Sequence, residues 1–388
     1  MKLTRQEHQA VIITSIIIAL RLLGIFLILP IFSTYAIKYP GATLTLTGIA
    51  FGIYALAQSF LQIPFGWASD RFGRKPILLI GLFLLALGSI ICGIADNINH
   101  LILARFLQGS GAVSAVAMAA LGDLTRPQVR AQAFTISGIA IGVAFIFGLI
   151  GGPFFAAHLG FSSLFYILAA LSLFAMVITG LFFPEIKTEN PKQEEARLAK
   201  LIGHVEIRRL YLAAFITSFA LNMFFFTYPL SWIQIGFHPA ELWEVYLIIL
   251  IPSALFIFPY VRRAEKKGKL RLPTRAAWIF LFLSFLAYMA FGIQKWMLYA
   301  TGIAFFLGHT LLQSLLPAFL TQRVASESRG SAIGFYTLAG FIGSAIGGML
   351  AGACYEYNHK LPLVISMLFL IGWALAGLPS PPDTDSMN

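Results

Sequence analysis

Two arginines stand where a fixed positive charge is least welcome. Arg21 and Arg105 each lie within a long apolar run, and the other 25 of the 27 lysines and arginines fall in connections or at the ends of such runs. A charged side chain in a bilayer interior costs about 2.5–3.5 kcal/mol on insertion scales, so such residues are candidates for handling charged solutes or protons. Arginine keeps its own proton at any ordinary pH. Arg21 can therefore attract an anion or form half of an ion pair, with a buried structural arginine the alternative; for Arg105 the alternative is snorkelling or pairing with a carbonyl. The 16 acids all fall in connections or near the ends of apolar runs; Glu244 is the deepest, with Glu241 one turn before it and Asp123 closing another run. Histidine, whose unperturbed pKa is near ~6.5, suits a proton site. His309 lies within FFLGHTLLQSLLP, with Gln313 one turn later on the same face. Packing is the competing role for this histidine.

Neutral polar groups extend the set. Tyr54, Gln58 and Gln62 recur every fourth residue, a polar stripe on an otherwise apolar helix. Gln108 follows Arg105, and Asn222, Tyr228 and Gln234 are spread along a later run. Such side chains line a water-filled cavity and hydrogen-bond a solute, or they bind helices to one another; the spacing serves both. No nucleophile with a base, HExxH or paired-histidine arrangement occurs, and Cys92 and Cys354 both sit in apolar segments. An enzyme, a metal and a cofactor are therefore not expected.

The elements that carry these residues are membrane helices. The chain has 388 residues, 59% of them hydrophobic, with 36 phenylalanines and a mean hydropathy of +0.83. Apolar stretches of about 20 residues, the length that crosses a bilayer as a helix, recur throughout. We read twelve spans: 11–37, 44–66, 76–95, 99–121, 131–156, 161–183, 208–236, 242–260, 275–293, 296–320, 331–354 and 360–379. The first, Val11 to Ile37, is too long for the apolar part of a signal peptide and no small-residue cleavage site follows, so it is expected to be retained. Most of the basic residues fall in connections on one side, leaving Lys38, Lys295 and Lys360 for the other. That bias places both termini in the cytoplasm. It also accounts for the net charge of +11 without a nucleic-acid partner.

The polar stretch 184–207 divides the spans six and six, giving bundles 1–183 and 208–388. Within it, Asn190 reads as an N-cap, Pro191 as the first helical residue, and Glu194 and Glu195 as acids of the opening turns. Leu198, Leu201, Ile202 and Val205 recur at helical spacing, as in a short helix on the inner membrane surface or a solvated tether. The halves echo each other. Pro30 and Pro229 are 199 residues apart, as are Arg130 and Arg329, and the charged segment from Asp70 returns 195 residues later at Glu265. Three echoes at nearly one offset suggest duplication, and two parallel halves around a central site is a transporter architecture.

The densest charge lies between the second and third spans, in GWASDRFGRKP: Gly66, Asp70, Arg71, Gly73, Arg74 and Lys75. On physical grounds Gly66 lets the helix approach a neighbour, Gly73 permits a tight turn, and Asp70 can rest against the positive end of another helix for about 0.3–2 kcal/mol. A basic loop that merely fixes orientation is the plainer alternative. The stretch resembles the signature loop of the major facilitator superfamily. RFLQGSGA, with Arg105, Gln108, Gly109 and Gly111, resembles that superfamily's fourth-helix motif, and GLIGGPFFAA, with Gly148, Gly152 and Pro153, its antiporter-type fifth-helix motif. Ala156 and Ala157 stand where a glycine pair is usual there, and Arg21 where many drug antiporters carry an acid. Within the superfamily, RLLGIFLILP, QIPFGWASDRFGRKP and ARFLQGSGA most resemble the YajR group, assigned to proton-driven efflux.

The resemblance spans essentially the whole chain and implies an all-α fold of twelve helices in two pseudo-symmetric bundles. No further domain is expected after the last span, unlike some members of that group. The resemblance implies a cytoplasmic gate at the charged loop, with Asp70 near the start of the eleventh helix around Ser328, Gly330 and Ser331, and a role for Arg105 in proton transfer. The activity implied is proton-linked export of small amphipathic compounds or drugs, by a monomer in a bacterial inner membrane. Proton-coupled uptake of a small polar or anionic solute is the alternative, and a channel or a non-transporting sensor on the same fold fits less well.

Overall fold

The computed structural model describes residues 3–126, 128–184, 204–266, 271–291, 293–324 and 329–379, and among them finds helices and turns without a strand. The expected linker helix from Asn190 to Ile202, Ser328, and the 267–270 part of the repeated charged segment lie outside these residues. The described chain divides into two compact units. One holds α1 (Arg5–Ile28), α2 (Phe32–Ala36), α3 (Leu44–Phe72), α4 (Arg74–Gly93), α5 (Ile98–Gly109), α6 (Val113–Asp123), α7 (Arg130–Leu159) and α8 (Phe161–Phe182), together with residues 239–243. The other holds α9 (Val205–Gln234), most of α10 (Leu242–Lys266), α11 (Arg271–Phe291), α12 (Lys295–Arg323), α13 (Arg329–Tyr357) and α14 (Leu361–Ala376).

Each of the twelve expected spans falls on a helix or on a helix with a break. Among the described residues ten helical segments are long and apolar enough to cross a membrane, and the 16-residue α14 is shorter. Local chemistry sets several starts. Thr4 and Glu7 form a reciprocal capping box, so α1 begins six residues before the expected Val11. Thr43 caps α3 and Asn97 caps α5, each through a side-chain oxygen that accepts a free first-turn N–H.

Two spans differ from the sequence expectation by being interrupted. The first stops at Ile28, just before Pro30, and resumes as the short α2; proline has no N–H to donate and clashes with the preceding turn. The fourth breaks at Ser110–Ala112 between α5 and α6, within the GSGA of the motif that carries Arg105.

Helix packing repeats between the units. In the first, α1 runs along α7; in the second, α9 runs along α13. Gly148 and Gly152 of α7 face Phe26 and Leu27 of α1, and Gly343 and Gly347 of α13 face Phe215 and Phe219 of α9. Each glycine is 195 residues from its counterpart. The first unit closes on an aliphatic core where Ile17, Leu78, Leu82, Val113, Val116 and Ala175 meet. The second closes on aromatic rings: Phe224 stacks on Phe305 with centroids 3.8 Å apart, and Phe225, Tyr228 and Phe306 surround that pair.

Candidate functional site

The charged loop is a one-residue turn. α3 ends at Phe72, α4 begins at Arg74, and Gly73 between them has φ +95°, a conformation that costs a side-chain-bearing residue heavily. The turn makes Arg74 a hub. Its guanidinium lies 2.5 Å from Asp70 and 2.9 Å from Asp123 at the end of α6, and it donates to the Ser69 hydroxyl at 2.5 Å. Ser69 in turn donates to the Gly66 carbonyl at 2.7 Å. Among the described residues a Cβ placed at Gly66 meets no atom within 4 Å, so the expected close approach is not seen there. It is the backbone carbonyl of Gly66, not its missing side chain, that the loop uses. Arg71 lies exposed over the Trp67 and Phe72 rings, and Lys75 is half-buried.

Deeper in the same unit, tertiary structure gathers residues the sequence scatters. Arg105 is buried on α5, with Nε donating to the Ala50 carbonyl at 3.3 Å and the guanidinium bonded to Gln108 Oε1. Gln108 passes the link on by donating to Ser89 at 2.9 Å, so both ends of its amide are occupied. The guanidinium also sits 4.7 Å from the Tyr54 ring centroid and 5.2 Å from that of Phe32, within cation–π range. Arg21 reaches the same tyrosine from α1: it donates to the Tyr54 hydroxyl at 3.3 Å and to Ser114 at the start of α6. Tyr54 therefore lies between the two buried cations. Gln58 and Gln62 follow on the same face of α3, both buried.

The second unit's candidates are dispersed. His309 is buried, stacked parallel to Phe305 with centroids 5.8 Å apart. Gln313, exposed one turn on, lies with its amide nitrogen 3.3 Å from the histidine Nε2, and Nδ1 has no partner among the described residues. Asn222 donates to the Ser218 carbonyl. Tyr228 lies in the aromatic core with its hydroxyl donated to the Leu298 carbonyl at 2.9 Å, a packing position. Gln234 donates to Tyr355 at 2.9 Å, next to the stacked Tyr355–His359 pair. Glu244 is exposed in the first turn of α10.

Sequence reasoning passed over two ion pairs. Glu7 accepts from Arg126 at 2.7 Å, joining the start of the first span to the segment after the fourth. The Glu7 hydrogen bond, and then the Glu7 charge, hold the Arg126 guanidinium further in the protonated form against the smaller opposing effect of burial. In the second unit Glu206 lies 3.7 Å from Arg323, joining the start of the seventh span to the end of the tenth. Glu7 and Glu206 are 199 residues apart, the offset already visible in two other echoes, and that spacing was the signal that could have found them.

With this geometry in place, comparison with known proteins is informative. The family model described as Major Facilitator Superfamily matches residues 14–348 and again 210–386. The Escherichia coli (strain K12) inner membrane transport protein YajR is 34% identical over 90% of this chain and 78% of its own. The Escherichia coli tetracycline resistance protein, class B, is 26% identical over 93% of this chain and 92% of its own. Among solved structures, the human organic anion transporter MFSD10 (TETRAN) superposes with a TM-score of 0.68 at 18% identity, covering 96% of this chain and 100% of its own, a likeness of fold alone. The molecule is a membrane transporter and not an enzyme. A one-residue charged turn, paired helix packing repeated in both units and a family match over most of its length make this chain a member of the Major Facilitator Superfamily.

Proposed function

We propose that the chain exports small amphipathic compounds in exchange for protons, by alternating access between its halves, 1–183 and 208–388, joined by 184–207. The observation that carries this reading is the Arg74 hub: a buried cation holding Asp70 and Asp123 at a tight turn is a charge cluster that one conformation can keep and another can break. In this reading Gly66, Asp70, Arg71, Gly73, Arg74 and Lys75 form the cytoplasmic gate. Arg105 is the coupling element, through the polar chain to Gln108 and Ser89. Both termini face the cytoplasm, and the protein works as a monomer in an inner membrane. Outward direction is supported by the similarity to a protein named for tetracycline resistance.

Proton-coupled uptake is the second reading, favoured by Arg21, which stands where many exporters of cationic drugs carry an acid. One experiment separates them. Inside-out vesicles holding a respiration-generated pH gradient are followed with a pH-sensitive dye while cationic, neutral and anionic amphiphiles are added. Collapse of the gradient that depends on compound, and that is absent with Arg105→Ala and with empty membranes, is the expected result. Solute accumulation by right-side-out vesicles with no effect in inverted ones refutes export and establishes uptake.

A further inference from the structure

We propose that Arg21, Tyr54, Gln58 and Ser114 form a recognition site for the anionic head of the transported compound, so that the substrate class is organic anions. This deepens the transport reading above and rests on it.

The first ground is charge. Arg21 is 2% exposed and makes no ion pair among the described residues; its partners are two hydroxyls, Ser114 and, at a long 3.3 Å, Tyr54. Arg105, across the Tyr54 ring, also has no carboxylate partner among the described residues. A buried charge without a counter-charge is strongly unfavourable, whereas one met by an opposite charge with hydrogen bonds is tolerated. An anionic ligand supplies what this chain does not.

The second ground is the direction of the unused hydrogen bonds. Arg21 Nε and Gln58 Nε2 are both buried and, among the described residues, both without a partner. Each is a donor, and buried donors are rarely left unmet. Gln58 lies one turn beyond Tyr54 on the same face of α3, so the vacant donors flank one tyrosine. An ammonium compound would bring further donors and further positive charge to this cluster; a carboxylate or sulfonate brings acceptors.

The third ground is the break in the fourth span. α6 starts at Val113 in the interior of that span, with no side-chain cap, and Ser114 lies in its first turn. The N-terminal end of a helix carries partial positive charge, and interrupted helices in transporters direct such ends at anionic groups. Here the break, Arg21 and the Tyr54 stripe converge through the Arg21–Ser114 hydrogen bond.

The test uses three probes of matched shape: 1-naphthoate, its methyl ester and 1-naphthylmethylammonium. Binding to the purified full chain is measured by calorimetry. We expect naphthoate to bind about 10- to 100-fold more tightly than the ester, the range that charge-assisted hydrogen bonds give. Arg21→Gln should bring that ratio to about one while keeping ester binding, which reports intact folding; Arg21→Lys should keep part of the preference, and Gln58→Leu should weaken naphthoate alone. Equal binding of the three probes, preference for the ammonium, no binding of naphthoate, or a preference that survives Arg21→Gln overturns the proposal. Inverted vesicles separate this from the export reading. Anion-selective, Arg21-dependent binding without proton-linked movement refutes export and leaves the site standing. Proton-linked movement of the ammonium alone keeps export and overturns the site.

Discussion

Replacing Gly152 by alanine tests the packing that holds the fifth span to the first. A methyl group there would run into the Leu27 carbonyl oxygen, with the Leu27 carbonyl carbon and Cα at 2.8 and 3.1 Å. All three atoms belong to the backbone of α1, so no side chain can swing aside and the helices must separate. Overpacking of this kind costs about 1–3 kcal/mol, and small residues are what allow membrane helices to approach this closely. Gly142, on the same helix, is the control: its added Cβ meets nothing within 4 Å. Gly142→Ala should be neutral or gain about 0.5–1 kcal/mol, because alanine is the better helix former. Gly347→Ala, where Phe219 oxygen would lie at 2.6 Å, should repeat the loss in the second unit. The two sites share no partner residue, so the double variant should lose about the sum. The assay is the half-life of purified protein at a fixed temperature in detergent, which needs no reversible unfolding. Equal half-lives for Gly152→Ala and Gly142→Ala would refute the argument that backbone contact at Leu27 requires the glycine.

Arg74 and the paired glutamates give two more tests. Arg74→Ala leaves Asp70 and Asp123 without their shared cation, and should abolish transport and lower the yield of folded protein; Asp123→Asn should do less, since Asp123 is 34% exposed and the Asp70 contact survives. A full-strength transporter carrying Arg74→Ala would remove the hub from the mechanism. Glu7→Gln should speed hydrogen exchange at amides 5–11 severalfold, by loosening both the capping box and the Arg126 pair, and Glu206→Gln should act more weakly at the start of α9, where there is no side-chain cap to lose, the 2.6 Å pair with Arg209 lies within the one helix and the pair with Arg323 is long, at 3.7 Å. Exchange that is unchanged by Glu7→Gln, or changed more by Glu206→Gln, contradicts that ranking.

The spans were legible because membrane insertion is decided locally: about 20 apolar residues suffice, whatever packs against them. The Gly73 turn was legible for a similar reason, since a positive φ between two helices leaves few residue choices. The close approach expected at Gly66 is not seen among the described residues, since nothing in a single helix says which side meets a neighbour. Glu7, Glu206, Gly343 and Gly347 were missed, and the pairing of Asp123 with Arg74 was not foreseen, because the partners lie far along the chain, although the repeat offsets of 199 and 195 held part of the answer.

The sequence by itself determined an all-helical membrane chain, its internal echo and a short set of costly buried charges. Only the tertiary structure decided how those charges meet. Arg21, Tyr54 and Arg105 come from three helices, and their convergence depends on the crossing of α1, α3 and α5, which periodicity does not encode. The paired prolines make the same point. Pro30 follows the end of α1, while Pro229, its counterpart 199 residues later, sits inside an unbroken α9. A proline removes the same N–H in both places; whether the helix ends there depends on the neighbours it packs against.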